Sequence, residues 1–281
     1  MRTLEPGGEQ DFVIVTQHHK GPVVDAVFAE TLGVRVTELH ADTDQLGTFD
    51  GEIPRRDSPL ATAVAKAQLG RNLGVARVLA SEGTFSPHPG MPWITVNSEI
   101  IVALTDDLPS PVVGSAVSFD TVVVSRDVGV LDNVDEMASQ AQFPDHSVLV
   151  KSMGVEPARV IKGINDADSL RRALTEICRW SPSGRARVES DLRAHHSRSR
   201  RLVIADAARD LARRLATPCP TCRLVGWGVS DSVRGAPCVD CGSATTAIRG
   251  EQWQCPHCHS TSTHVDAART GDPSTCLRCN P

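Results

Sequence analysis

The sequence contains no apolar run long enough to cross a bilayer, and its first residues lack the apolar core of a secretory signal peptide. These two absences favour a cytoplasmic protein that has no membrane partner. Because the cytoplasm keeps thiols reduced, they also favour metal binding over disulfide bonds for the nine cysteines.

Lysine is scarce, since only four of the 29 basic residues are lysines. We attribute this bias towards arginine to genome composition. The charge is uneven along the chain: residues 1–150 carry 9 Lys and Arg against 21 Asp and Glu, residues 151–216 carry 15 against 8, and residues 217–281 carry 5 against 5. The basic middle part keeps RNA binding open, although residues 191–201 contain no Phe, Tyr or Trp on which bases could stack.

Eight cysteines form four Cys-x-x-Cys pairs near the end of the chain. They are Cys219/Cys222, Cys238/Cys241, Cys255/Cys258 and Cys276/Cys279. This spacing is typical of four-thiolate zinc sites, so we predict two structural zinc ions without an open position for catalysis. The spacing leaves open whether the pairs join sequentially or interleave. The histidines near the third pair (His257, His259 and His264) are alternative ligands, and Cys178 is predicted to be a buried, inert thiol.

Composition and patterning predict three parts: a flexible N-terminus (1–10), an α/β domain (11–216) and a zinc-ribbon domain (217–281). For the α/β domain we expect a mixed, mostly parallel open sheet with flanking helices. The predicted strands are 12–16, 34–39, 75–80, 99–104, 112–119 and 147–150. The predicted helices are 24–32, 58–73, 134–141, 168–177 and 200–215. We place the strand 75–80 in the centre of the sheet, parallel to its neighbours, and residues 81–90 in a loop at its carboxyl edge. The prolines 109 and 111 predict an antiparallel hairpin between 99–104 and 112–119.

A polar loop, residues 16–21, connects the first predicted strand to the first predicted helix. Thr16, His18 and Lys20 bring a hydroxyl, an imidazole and an ammonium to a helix N-terminus. Such a terminus attracts anions, so we expect these three residues to bind phosphate. The alternative is a polar loop whose histidines only cap the helix and contact water.

Glu82 follows the apolar strand 75–80 and precedes Gly83. We expect Glu82 to be catalytic and to bind Mg²⁺ together with one acid of the loop 41–57. The candidate acids are Asp42, Asp44, Glu52 and Asp57, and the same loop contains Asp50. The alternative is that these acids are merely solvated.

A third candidate site is the segment 191–201, which precedes the last predicted helix. Here Asp191 could orient His195 as a general acid or base, while Arg193 binds a phosphate oxygen. An Asp–Arg pair that only fixes the linker between sheet and ribbon explains the same residues equally well.

The order of these motifs resembles the inosine-triphosphate pyrophosphatase and Maf-like nucleotide pyrophosphatase superfamily. The resemblance covers residues 12–105 and rests on Thr16 to Lys20, on Ala63 to Ala67, on Ser81-Glu82-Gly83 and on Pro87 to Gly90. It implies a nucleotide-hydrolysing α/β fold in which Lys66 also binds phosphate.

The whole chain is also similar to an uncharacterised domain family of unknown function. The similarity rests on residues 191–195 (Asp-Leu-Arg-Ala-His), on the paired cysteines and on the final Cys-Asn-Pro, residues 279–281. It implies an architecture with a double zinc ribbon and no particular activity.

Together these observations predict a metal-dependent hydrolase of a phosphate-bearing small molecule, possibly a nucleoside triphosphate. Its expected cofactors are two structural Zn²⁺ ions and a Mg²⁺ ion. The alternative is a noncatalytic adaptor whose zinc ribbon binds RNA or a protein partner.

Overall fold

The computed structural model describes residues 11–47 and 57–281. The predicted flexible N-terminus and two acids of the acidic loop, Asp50 and Glu52, lie outside this range. Within it, the chain forms five α-helices and twelve β-strands, and the strands assemble into three sheets.

The first sheet has five strands in the order β2-β1-β3-β4-β5. They are β1 (Phe12–Thr16), β2 (Val36–His40), β3 (Arg77–His88), β4 (Met91–Thr105) and β5 (Val112–Ser118). Strand β1 is parallel to β2 and β3, whereas β4 is antiparallel to β3 and β5. The prediction of a mostly parallel sheet is therefore wrong, and the sheet is mixed. The connections after β3 and β4 are too short for the crossover that a parallel pair requires.

The error arises from residues 81–90, which we predicted to be a loop. Instead β3 continues to His88 and pairs with β4 over its whole length, with Ser81 opposite Ile101 and Gly83 opposite Glu99. Glu82 consequently lies inside a strand. The predicted antiparallel hairpin between β4 and β5 is present.

Three helices cover the two faces of this sheet: α1 (Gly21–Leu32), α2 (Pro59–Asn72) and α5 (Arg198–Ala216). One apolar core joins α1 and α5 to Leu79 and Ile101, and another joins α2 to Val78 and Ala80 on the opposite face. The residues predicted to end α1 and to begin α2 also do so. Gly33 ends α1 in the left-handed conformation with φ 67°, and the Ser58 side chain accepts a hydrogen bond from the Ala61 amide at the start of α2.

A second, separate sheet has the order β6-β9-β7-β8, and all of its pairings are antiparallel. Its strands are β6 (Ser125–Gly129), β7 (Val148–Ser152), β8 (Val160–Ile164) and β9 (Arg185–Ser190), with helices α3 (Asp135–Gln140) and α4 (Ala167–Cys178) beside it. Apolar side chains of α4 pack on β7 and β9 in their own core. The sequence predicts β7, α3 and α4 but not the other three strands, because charged residues such as Arg185, Arg187 and Glu189 alternate through β9.

The cysteine-rich tail contains a third sheet of three antiparallel strands. They are β10 (Gly228–Arg234), β11 (Ile248–Gln254) and β12 (Thr261–Val265). The tail is hydrogen-bonded to the end of α5, where the Gly226 amide donates to the Arg214 carbonyl at 2.8 Å and the Arg214 guanidinium donates to the Val229 carbonyl.

Candidate functional site

The carboxyl end of β1 is a topological switch point of the first sheet. The connection from β1 to β2 passes through α1 on one face, and the connection from β2 to β3 passes through α2 on the other face. Open α/β sheets bind ligands in the crevice that such a switch creates. Strand β3 extends beyond its last pairing with β1, Val15 opposite Ala80, so Ser81 and Glu82 border this crevice.

Three cations and two carboxylates lie around this point, of which Lys66 is partly buried and the other four are buried. The Lys20 Nζ donates to the Ser81 hydroxyl at 2.8 Å, the Lys66 Nζ donates to Glu82 at 2.5 Å, and the Arg200 Nε donates to Glu99 at 2.6 Å. The side chains of Glu99 and Arg200 are 0% and 1% exposed. When Lys20 is protonated, the group therefore has an excess of one positive charge.

Burial also changes the protonation of two residues of the polar loop. It lowers the pKa of Lys20 to about 7, and the positive charge of Arg200 contributes further. Burial likewise lowers the pKa of His18 to about 3, with a contribution from the charge of Lys20. At neutral pH, His18 is therefore a neutral imidazole and Lys20 is divided between its charged and neutral forms.

The N-terminus of α1 faces a carboxylate of the protein itself. The Gly21 amide donates to the Glu38 carboxylate at 2.6 Å, so a carboxylate of the protein already occupies this position. The Lys20 side chain turns inward to Ser81 instead. Thr16 stays close to the loop, where its hydroxyl accepts a hydrogen bond from the His18 amide at 3.1 Å.

A cavity of about 470 Å³ opens next to these buried charges, between the loop after β1 and the second sheet. One wall carries His18, His19, His40 and His195, and their neighbouring rings lie 5.6–6.4 Å apart between centroids. The opposite side comes from β7, β8 and β9 and from the residues just before β6. Burial lowers the pKa of His195 to about 4, with contributions from His196 and Arg193, so this imidazole is also neutral at pH 7.

The segment 191–201 joins the two sheets. Both carboxylate oxygens of Asp191 accept hydrogen bonds from Arg193, the shortest at 2.6 Å, and one also accepts from the Gly163 amide at 3.0 Å. Burial raises the pKa of Asp191, but the hydrogen bond and charge of Arg193 outweigh this effect and hold it below its usual value. Asp191 thus orients Arg193. On the other side of the segment, Arg200 donates to the Leu192 carbonyl at 2.6 Å.

The predicted residues therefore fall into two neighbouring groups. Thr16, Lys20, Lys66 and Glu82 surround the end of β1, whereas Asp191, Arg193 and His195 line the cavity, and His18 stands between the groups. Sequence reasoning missed Glu99, although its signal was visible as a single carboxylate at the start of the apolar run 100–104.

The structure describes the side chains of two acids of the acidic loop. Asp42 and Asp57 are exposed, and the side chain of Asp44 lies outside the described part of the structure, as do Asp50 and Glu52. Among the residues that the structure describes, the cysteines of the tail alone bring three or more metal-ligating groups together.

The paired cysteines form two groups of four, and the pairs interleave. The first and third pairs make one group (Cys219, Cys222, Cys255 and Cys258), and the second and fourth pairs make the other (Cys238, Cys241, Cys276 and Cys279). All ligand atoms of a group lie within 4.8 Å of one another, so each group could hold a metal ion. Cys178 is distant in sequence from both groups. It is buried, as predicted, and burial raises the pKa of its thiol.

The histidines beside the third pair make other contacts. His257 Nε2 is 2.8 Å from the Val225 carbonyl oxygen, and the His264 ring lies edge-on to Trp253 at 5.5 Å between centroids. Each group has four sulfur atoms without them.

None of the helices in the described ranges combines the length and the hydrophobicity needed to cross a membrane. A family model described as domain of unknown function (DUF6671) matches residues 66–281. No curated protein matches the chain. Among solved structures, the crystal structure of protein VC0702 from Vibrio cholerae is similar over 74% of this chain and 96% of that chain, with 12% sequence identity and a TM-score of 0.35.

Proposed function

The chain belongs to the family described as domain of unknown function (DUF6671), and we propose that it hydrolyses a phosphate-bearing small molecule, with nucleoside triphosphates as the first class to test. One observation carries this proposal: two buried cations, Lys20 and Arg200, and the partly buried Lys66 lie with two buried carboxylates around the carboxyl end of β1, so the protonated form of Lys20 leaves a surplus positive charge there. Burying a surplus positive charge is costly unless an anion compensates it, and a phosphate group would do so.

In this proposal, phosphate oxygens are bound by Lys20, Lys66 and Arg193. Thr16 and His18 contribute neutral hydrogen-bonding groups. The ammonium of Lys66 is held by Glu82 at 2.5 Å, and the guanidinium of Arg193 is held by Asp191. These carboxylates fix the two cations in place. Preorganised cations stabilise the charge that develops during phosphoryl transfer without having to reorient.

His195 is the proposed general base. Its imidazole lines the cavity and is neutral at pH 7, so it can accept a proton from water there. Asp191 accepts hydrogen bonds from Arg193 and so holds a residue of the same cavity wall. In this proposal it does not orient His195, as the aspartate of a catalytic triad would.

We propose Zn²⁺ for both four-cysteine groups, because four converging sulfurs suit its tetrahedral coordination and leave no position for a substrate. The thiolates must stay reduced to bind it, as they would in the cytoplasm, where we expect this protein to be. Mg²⁺ is a weaker fit. Lys66 already holds Glu82 and Arg200 already holds Glu99, so the phosphates of the substrate would have to supply most of its ligands. When bound, the ion would neutralise charge on those phosphates.

The test is release of phosphate or pyrophosphate from a panel of nucleoside triphosphates, with Mg²⁺ or Mn²⁺ present. We expect Glu82→Gln to abolish release, because it frees Lys66, and His195→Ala to reduce the rate by about 100-fold. Glu30→Gln is the matched control, since Glu30 is an exposed carboxylate on α1. Equal rates for Glu82→Gln and Glu30→Gln would refute the assignment of this site.

The adaptor function stays the alternative from a different class. If the whole panel is inactive and the protein retains RNA in a salt-sensitive manner, the adaptor replaces the hydrolase.

A further inference from the structure

Lys20 is paired differently from the other cations of the site. Lys66 and Arg200 each contact a carboxylate, at 2.5 and 2.6 Å, whereas the Lys20 Nζ contacts the neutral hydroxyl of Ser81 at 2.8 Å. Lys20 and Ser81 are 6% and 4% exposed. A hydroxyl compensates a buried ammonium poorly, so a purely structural role does not explain why a lysine occupies this position.

The surroundings of Lys20 favour its neutral form. Burial is the main cause; the charges of Arg200 on α5 and Lys66 on α2 lower the pKa further, whereas those of Glu99 on β4 and Glu82 on β3 raise it. Their combined effect brings the pKa to about 7. A neutral amine at 2.8 Å can accept the proton of the hydroxyl to which the ammonium would otherwise donate.

Ser81 is the first residue of β3 beyond the pairing with β1, so it lies at the switch-point crevice rather than between two strands. Its side chain is on the face of the sheet that α1 and α5 cover, the same face as Leu79, whereas Glu82 and Lys66 are on the α2 face. On the Ser81 face, the Arg200 guanidinium lies beside Gly83 and provides positive charge near an attacked phosphorus atom. Arg200 does not depend on Lys20 for its position, because Glu99 holds it.

We propose that Ser81 is a catalytic nucleophile and that Lys20 is its general base. This inference rests on the proposed phosphate chemistry, and it replaces direct attack by water with a covalent phosphoserine intermediate. Lysine-activated serine nucleophiles are an established chemical solution in hydrolases on other folds.

The reaction then has two balanced steps. In the first, the Ser81 Oγ forms a bond to phosphorus while the bridging P–O bond of the anhydride breaks. The hydroxyl proton passes to the Lys20 Nζ, and the leaving phosphate takes the electron pair. In the second, a water oxygen bonds to phosphorus and the Ser81 Oγ–P bond breaks. Lys20 returns its proton to Ser81, and His195 takes the proton of the water.

An uncharged fluorophosphonate ester tests the nucleophile without a known substrate. Its phosphorus bonds to an activated serine oxygen as fluoride leaves, and mass spectrometry of the digested full-length protein locates the adduct. We expect labelling at Ser81, with a rate that rises with pH around a midpoint near 7, because Lys20 must be neutral. Lys20→Arg should abolish labelling, since a guanidinium stays protonated.

The control is Ser152→Ala, which removes another buried serine, one on β7 that accepts a hydrogen bond from the Arg159 amide. It should leave labelling at residue 81 unchanged. Because a site with this little exposure admits small reagents more readily than large ones, Ser81→Cys with iodoacetamide provides a smaller electrophile. Absence of both the serine adduct and the cysteine adduct in folded protein overturns the inference.

The nucleoside triphosphate assay separates this inference from the proposed function. If Ser81→Ala still releases phosphate or pyrophosphate, the proposed hydrolase is retained and the serine nucleophile is refuted. Release that disappears in Ser81→Ala, together with a phosphoserine trapped by acid quenching of the wild type, supports both. Labelling at Ser81 without release from any nucleotide retains the nucleophile and overturns the phosphate substrate.

Discussion

The ion pair between Arg200 and Glu99 gives the sharpest test of how this structure is held together. It connects α5 to β4, and the same guanidinium donates to the Leu192 carbonyl of the segment between the two sheets. Both side chains are buried, at 1% and 0% exposure. We predict that Arg200→Met destabilises the protein strongly, because Glu99 is left as a buried charge without its partner.

The magnitude follows from the burial. Removing one partner of a buried pair costs about 3–5 kcal/mol, whereas replacing both partners by neutral groups is often nearly neutral. We therefore expect Arg200→Met to lower the free energy of unfolding by about 4 kcal/mol and the midpoint temperature by on the order of 10 °C. Adding Glu99→Gln to Arg200→Met should recover at least half of that loss.

Urea unfolding followed by far-ultraviolet circular dichroism measures these differences. The control is Arg171→Met, which breaks an exposed pair with Asp168 whose side chains are 73% and 76% exposed. This control should be indistinguishable from the wild type. A loss below about 1 kcal/mol for Arg200→Met would show that water reaches the pair. A double variant as unstable as Arg200→Met would show that the guanidinium acts through packing and the Leu192 contact instead.

Two further predictions concern the metals and pH. Because the cysteine pairs interleave, Cys238→Ser combined with Cys276→Ser should remove one bound zinc per chain, whereas Cys219→Ser combined with Cys238→Ser should remove both. Metal analysis by plasma mass spectrometry measures the zinc content of each variant. The reverse pattern would indicate sequential pairing. Stability should fall as the pH drops from about 6.5 towards 4, because His18 and His195 have lowered pKa values and the unfolded chain binds more protons in that window. Urea unfolding at several pH values should show a smaller decline for His18→Gln, and an unchanged decline would contradict the burial of His18.

The parts of the fold that were predictable are those with local signals. Gly33 marks the end of α1, and Ser58 with Pro59 marks the start of α2, because these residues act on their own turn of helix. Long-range pairing left no such signal. Polar residues, glycine and proline in 81–90 resemble a loop, yet residues 81–88 pair with β4.

The site was predictable to a similar extent. The motifs around Lys20, Lys66 and Glu82 indicated residues that do meet at the end of β1. Their partners were less visible, because Lys20 and Ser81 are 61 positions apart and Arg200 and Glu99 are 101 positions apart. No spacing rule connects residues over such distances. The same limit left the pairing of the cysteines open, since each spacing permits more than one partner.

The interleaved cysteines have a consequence for the order of events during synthesis. The first metal site is complete only when Cys258 has been made, and by then Cys238 and Cys241 already lie inside the loop that this site closes. An emerging chain therefore exposes four neighbouring thiols, Cys219 with Cys222 and Cys238 with Cys241, before either correct partner pair exists. A metal ion captured at that stage would join the wrong pairs. Correct assembly of this tail then depends on exchange of the ion between thiolates, so the supply and lability of the metal would influence the yield of native protein.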